Sequence, residues 1–259
     1  MNPGLKAQAK GERAICDWDE DSLTMGVEAA RLCLSGTQTF QPERLEFAST
    51  TAPFIDRASS IILSEALTLP ASSTMCRDIT GSLACGTAGL INALKGQESA
   101  LLVAADKRPA KVASAQELTF GHAAAAIAVG SENPIARIVA STLMAVDFPD
   151  HYRKPDAKTD YYLEERWVRD EGIMKIVPLA VTSLLREAGY GIEDIAHIAF
   201  AGMNAGGVRQ IAKTLSIGNE QLVRSLDSRC GETGTAHGLL MLCQALETAR
   251  PGEKILLVH

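Results

Sequence analysis

The stretch Asp78 to Leu94, DITGSLACGTAGLINAL, carries no charged residue after its first position. Met75 to Thr80 (MCRDIT) reads as a strand leading in. Gly81-Ser82 reads as a turn with a candidate N-cap, and a helix follows from Leu83. A helix that is apolar on every side belongs inside a large fold. Gly86, Ala88 and Gly89 leave room for a second backbone to come close. The N-terminus of such a helix concentrates free N–H groups and the positive end of the dipole. That setting favours negative charge and lowers the pKa of a thiol.

The chain repeats this pattern. Gly86-Thr87-Ala88-Gly89-Leu90, then Lys95-Gly96 and ALLV, is echoed by Gly234-Thr235-Ala236-His237-Gly238-Leu239, then Pro251-Gly252 and ILLV. Both copies read as turn, buried helix, glycine break and buried strand, so one fold unit is used twice.

The other elements fit an α/β chain. Asp19-Glu20-Asp21-Ser22 starts a helix with stripe Leu23, Val27, Ala30 and Leu34, and Gly36 ends it. Leu45 to Thr51 is a strand running into a loop, and Asp56 to Leu67 is a helix with Ile61, Ile62 and Leu67 inward. Ala100 to Ala104 is a strand buried on both faces, and Lys107-Arg108-Pro109 is a solvated loop. Thr119 to His122 turns into the strand AAAAIAVG. A lone His122 beside a buried strand reads more readily as a satisfied structural residue than as a catalyst. Pro134 to Leu143 is one more strand. Asp147 to Asp170, with three tyrosines, a tryptophan and charges of both signs, has no clean period and reads as an excursion from the core. A helix over Gly172 to Ala188, a strand over Ile195 to Ala201, a short strand over Leu222 to Leu226 and a final strand over Lys254 to Val258 complete the chain.

The 259 residues suffice for one large domain or two fused half-domains. The net charge of −6 argues against a nucleic-acid surface. No apolar run reaches the length of a membrane span and no signal-type segment opens the chain, so the expected place is the cytoplasm. The six cysteines form no CxxC pair. They read as reduced thiols rather than disulfides or metal ligands, and no metal or cofactor is expected.

D-I-T-G-S-L-A-C-G-T-A-G-L resembles the nucleophile segment of the HMG-CoA synthases and ketoacyl-ACP synthases III of the thiolase superfamily. The resemblance extends over roughly Asp19 to Val258. It implies a layered α-β-α-β-α fold of two pseudo-duplicated halves, 1–143 and 144–259, with the insertion 147–170 over a substrate tunnel. Relatives carry more chain before and after, so the fold is expected truncated at both ends. Anchored on Asp78 and on Gly86-Thr87-Ala88, the family's nucleophilic cysteine aligns with Leu83. Its acid/base glutamate aligns with Thr50, where a β-branched strand end is the competing reading. Its histidine aligns with Ala201 and the asparagine of its G-N-T motif with Glu232, while Asn204 retains the other asparagine. The implied acyl-CoA pocket is lined by Ser82, Leu83, Asn204 and Glu232.

Family chemistry needs a thiolate to accept the acyl group and His, Asn or Glu to manage the enolate and its proton. Leu83, Ala201, Glu232 and Thr50 together argue against ping-pong turnover by this chain. Cys85, two residues on, is rotated about 200° in a helix and should face away from that pocket. Glu232 is open to two readings: an acid/base carboxylate raised by an apolar pocket, or an exposed helix-start glutamate. Two functions therefore compete. One is an acyl-CoA condensing protein with altered chemistry. The other is a non-catalytic partner of an active thiolase-like acyltransferase. Acyl-CoA is the expected ligand and a homodimer or heterodimer the expected assembly. A zinc-ribbon/OB-fold module, paired with some relatives, is a further candidate partner.

Overall fold

The computed structural model describes residues 10–36 and 39–259. They form two compact units, one of residues up to 108, 118–137 and 226–240, the other of 109–117, 138–225 and 241–259.

In the first unit β1 (Arg44–Ala48), β2 (Met75–Ile79), β3 (Ala100–Lys107) and β4 (His122–Val129) form one sheet in the order β2-β1-β3-β4. β1 is parallel to both neighbours, and β4 is antiparallel to β3. β1 and β3 are buried almost throughout, so their sequences show no polar alternation. Leu45, Phe47, Leu101, Val103 and Ala105 point to one face. There they pack with Leu23 and Ala30 of the helix Ser22–Ser35 and Leu63 of the helix Ser59–Ala66. On the other face Leu102 and Ala104 meet the helix Cys85–Lys95. A Cβ at Gly89 would sit 3.0 Å from Leu102 Cδ1, and one at Gly86 would collide with the carbonyl oxygen of Thr235. The small residues are what let this helix lie on the sheet and against the second GTA segment.

Local chemistry fixes the ends. Asp21 caps the first helix by accepting from Thr24 N at 2.9 Å, and Thr24 Oγ1 accepts from Asp21 N at 2.9 Å. Such a reciprocal cap is worth about 1 kcal/mol. The Asp78 carboxylate accepts from Ser59 N and Ser60 N, each at 2.8 Å. The acid that opens the charge-free stretch therefore caps a neighbouring helix rather than serving its own.

The second unit holds a hairpin of β5 (His151–Tyr152) and β6 (Tyr161–Tyr162), and a parallel pair, β7 (His197–Phe200) and β8 (Ile255–Val258). The helix Met174–Ala188 ends at Gly189, whose φ of +73° suits a residue without Cβ. Val181, Ile198, Phe200, Ile211 and Leu256 form this core.

The echo in the sequence is an echo in topology. β1 lies between parallel β2 and β3. β7 lies between parallel β8 and a bridge at Leu222. The first copy runs through the helix Cys85–Lys95 and Gly96 into β3. The second runs through the turn Gly234–Ala236, the helix His237–Thr248 and Gly252 into β8. Neither helix has a long exposed face: Asn92 and Lys95 are exposed in the first, Glu247 and Thr248 in the second.

Several local expectations are corrected. The segment 134–143 forms no ladder, and Ile135, Val139 and Leu143 are 91, 66 and 65% exposed, because no strand among the described residues pairs with it. The helix expected over 56–67 begins at Ser59, and Leu63 rather than the exposed Ile61 turns inward. The strand expected over 222–226 is reduced to the single bridge at Leu222. The excursion 147–170 carries the β5–β6 hairpin, fastened by stacking of Phe148 on Trp167 at 4.3 Å and the ion pair Arg153–Asp160 at 2.6 Å.

Candidate functional site

The helix that follows Gly81 begins at Cys85, not Leu83. Gly81 has a φ of +99°, and Ser82 sits in the turn with its Oγ accepting from Ala84 N at 3.2 Å and its carbonyl accepting from Cys85 N at 3.0 Å. Leu83 lies half-buried in that turn. The rotation expected between Leu83 and Cys85 therefore does not apply, since only Cys85 is helical. What makes Cys85 inert is its surroundings. It is buried, its Sγ lies 3.6 Å from the carbonyl oxygen of Ile79, and its thiol is pushed up to about 12 by burial and then by the charge of Asp106. A thiol so placed stays protonated and unreactive at neutral pH.

Asp106 is the centre of the first unit's polar interior. It is fully buried at the end of β3, one of the strand ends of a parallel sheet where functional groups collect. Its Oδ1 accepts from Ser49 Oγ at 3.1 Å, Thr50 N at 2.8 Å and Thr51 Oγ1 at 2.8 Å. Its Oδ2 accepts from Thr50 Oγ1 at 3.2 Å and Thr235 N at 2.8 Å. Thr50 thus binds a carboxylate through both backbone and side chain. Thr235 returns a bond of 3.2 Å from its Oγ1 to the carbonyl of Ala48. One acid ties the loop after β1 to the second GTA segment.

Two residues on, Arg108 is 4% exposed, where a solvated loop was expected. Its guanidinium stacks on Phe120 at 3.7 Å from the ring centroid and forms an ion pair with Glu232. Glu232 Oε1 accepts from Gly234 N at 2.8 Å, and the Glu232 backbone joins that of Phe120 in a bridge. The carboxylate is thus neither an exposed helix-start acid nor one isolated in apolar surroundings. It is held between a buried cation and a backbone donor. Nearby, His237 Nδ1 accepts from Thr233 N at 3.3 Å, which leaves Nε2 to donate toward Asp227 Oδ1 at 3.3 Å. Burial lowers the His237 pKa, Asp227 opposes this and Arg108 adds to it, so the imidazole is neutral at pH 7.

In the second unit Ala201 is buried at the end of β7, its N–H donating to Val258 O at 2.8 Å. Asn204 caps the helix Ala205–Thr214, with Oδ1 accepting from Gly207 N at 2.9 Å and Nδ2 donating to Glu165 Oε1 at 3.3 Å. The residues that sequence reasoning missed are Asp106, Arg108 and His237. The available signal for Asp106 was its place just past the buried run ALLVA.

Among the described residues no group of three or more His, Cys, Asp or Glu side chains has metal-site geometry, and no helix is long and apolar enough to cross a membrane. The chemistry on offer is acid-anchored positioning of backbone and cation, with no activated nucleophile at the helix start.

The duplicated α/β fold is that of the thiolase-like 3-oxoacyl-ACP synthases III. Residues 185–259 match the family model of the 3-oxoacyl-[acyl-carrier-protein] synthase III C-terminal region. The chain is 28% identical over 255 residues to hydroxymethylglutaryl-CoA synthase of Archaeoglobus fulgidus, covering 95% of this chain and 74% of that one. It superposes on 3-oxoacyl-(acyl carrier protein) synthase III of Pseudomonas aeruginosa with a TM-score of 0.81 at 18% identity, over 98 and 84% of the two chains. On Xanthomonas campestris OleA, a cysteine-to-serine variant solved with bound lauric acid and lauroyl-CoA, the TM-score is 0.82 at 17% identity, over 97 and 82%. The chain is thus similar in sequence to hydroxymethylglutaryl-CoA synthases and shares the fold of the 3-oxoacyl-ACP synthases III.

Proposed function

We propose that this chain acts in acyl-CoA condensation without forming an acyl-enzyme itself, as the non-acylating partner of a thiolase-like subunit that carries an intact cysteine. The observation that carries the reading is at the start of the central helix. Leucine occupies the position aligned with the nucleophile, and the one nearby thiol, Cys85, is held protonated by burial and by Asp106. Leucine cannot attack a thioester. Glu232, paired with Arg108, is not a free acid or base. Acyl-CoA remains the ligand class, in keeping with the names of the relatives and with the lauroyl-CoA bound to OleA. The free cysteines suit a reducing cytoplasm.

The assembly we propose is a dimer through β2. This strand is the edge of its sheet, is mostly exposed, and presents Met75 at 56% exposure. An uncovered edge is a ready surface for a second chain.

The test is intact mass after incubation with acetyl-CoA, then peptide mapping, for the chain alone and co-expressed with a thiolase-like partner. Acetylation of the partner only is the expected result. A stable acetyl group on Cys85 overturns the reading. Leu83→Cys should stay nearly inactive, because Ala201 and the paired Glu232 leave the enolate and its proton unmanaged.

A further inference from the structure

Away from that helix start, the first unit contains a thiol–imidazole pair. Cys16 Sγ lies 3.2 Å from His122 Nδ1. The backbone N–H of Cys16 donates to the same nitrogen, also at 3.2 Å. An N–H pointing at Nδ1 requires a lone pair there, so the ring proton is on Nε2 and Nδ1 is the acceptor that faces the thiol. That is the arrangement of a thiol and its general base. Cys16 is only half-buried. Lys107 Nζ donates to Glu20 O at 2.6 Å, and the Cys16 thiol is a second, weaker donor to the same oxygen at 3.7 Å.

We propose that Cys16 is a thiol-modification site that forms mixed disulfides with low-molecular-weight disulfides, with His122 as its base. The thiol proton passes to Nδ1. The thiolate attacks one sulfur of the disulfide, the S–S bond breaks as the Cys16 mixed disulfide forms, and the leaving thiolate takes the proton back from the imidazolium. The net effect of the surroundings on the ring is to lower its pKa. Burial lowers the His122 pKa, the backbone of Arg108 opposes this, and Lys107 and Arg13 add to the lowering, so the ring is neutral and able to accept. Burial raises the Cys33, Cys85 and Cys230 thiols.

The location gives the modification a consequence. Glu12 N donates to Ser228 O at 2.8 Å, Ala14 N to Cys230 O at 2.9 Å, and His122 N to Ala14 O at 2.9 Å. The strand-like strap that ends at Cys16 therefore lies along the segment leading to Glu232. A bulky adduct at Cys16 replaces the Sγ–Nδ1 contact and loosens the strap.

The experiment treats the whole native protein with oxidised glutathione at pH 7 and follows adducts by intact mass and peptide mapping. Cys16 should be modified first, roughly several-fold faster than Cys76 or Cys243, the gain expected from a base in direct contact with the thiol. His122→Asn, whose amide oxygen can still accept from Cys16 N, should erase that advantage, and Cys16→Ser should abolish the early adduct. Modification of Cys16 no faster than the other half-buried thiols overturns the proposal, as does an unchanged rate in His122→Asn. If a variant fails to fold, the ranking of the cysteines in the unaltered chain decides by itself.

Discussion

Replacing Asp106 by asparagine tests how much of the first unit depends on one carboxylate. The substitution conserves shape, so packing is unchanged and only hydrogen bonding and charge differ. The hydroxyls of Ser49, Thr50 and Thr51 can rotate to suit an amide. The two backbone donors cannot: Thr50 N points at Oδ1 and Thr235 N at Oδ2, each at 2.8 Å. Whichever way the asparagine amide is turned, its NH2 group faces one of these N–H groups. The variant therefore loses a charge-assisted bond worth about 1.5–3 kcal/mol and leaves a buried donor unsatisfied at a cost of about 1–3 kcal/mol. A total of roughly 3–5 kcal/mol is expected from urea unfolding followed by circular dichroism, with amide exchange accelerated at Thr50 or Thr235. Ser49→Ala, which removes one bond to the same carboxylate, should cost only about 0.5–1.5 kcal/mol. A loss below about 1 kcal/mol in Asp106→Asn, with the Thr235 amide as protected as before, would refute the view that this acid holds the two segments together.

The remaining predictions concern pH and assembly. Because the Cys85 thiol is pushed up to about 12, the folded chain keeps a proton that the unfolded chain releases above its ordinary thiol range. Stability should therefore fall by about 1.4 kcal/mol per pH unit from roughly pH 9 upward, and denaturation of Cys85→Ala should lack that component. His237 runs the other way. Its pKa is lowered by burial, so the unfolded state gains a proton below about pH 6.5 that the folded state refuses, and stability drops as pH falls. His237→Gln should flatten that acid limb in the same assay. Sedimentation at micromolar concentration should show a dimer, and Met75→Asp on the exposed edge strand should shift it to monomer; a monomeric unaltered chain would count against the β2 interface.

The sequence made the local grammar visible. The GTA echo, the charge-free helices and the glycine at 189 all appear in the structure as the patterns imply, because these depend on neighbours within a turn or two. Arg108 was misread for the opposite reason. In KRP it looks like a solvated charge, yet its partners Phe120 and Glu232 approach only through the fold. Pattern reading gives a charged residue its usual surface place, and a buried ion pair with a distant partner overrides that rule. Asp106 was hidden similarly, as the polar end of an apolar strand whose donors come from Ser49 to Thr51 and from Thr235. The extended segment 134–143 is rich in β-branched residues, Ile135, Ile138, Val139 and Thr142, but that composition does not supply a partner strand.

The donors around Asp106 also set an order of events during synthesis. Ser49 to Thr51 leave the ribosome early, Asp106 midway, and Thr235 close to the end of the chain. Until residues 226–240 emerge, the sheet of the first unit is translated but its buried acid lacks the Thr235 bond, and the helix Cys85–Lys95 lacks the backbone that Gly86 is shaped to receive. The first unit therefore stays incomplete at Asp106 and at the helix Cys85–Lys95 while residues 138–225 are made. A nascent chain stopped short of residue 226 should be the form on which holding chaperones act, and the emergence of residues 226–240 should be the step that ends their work.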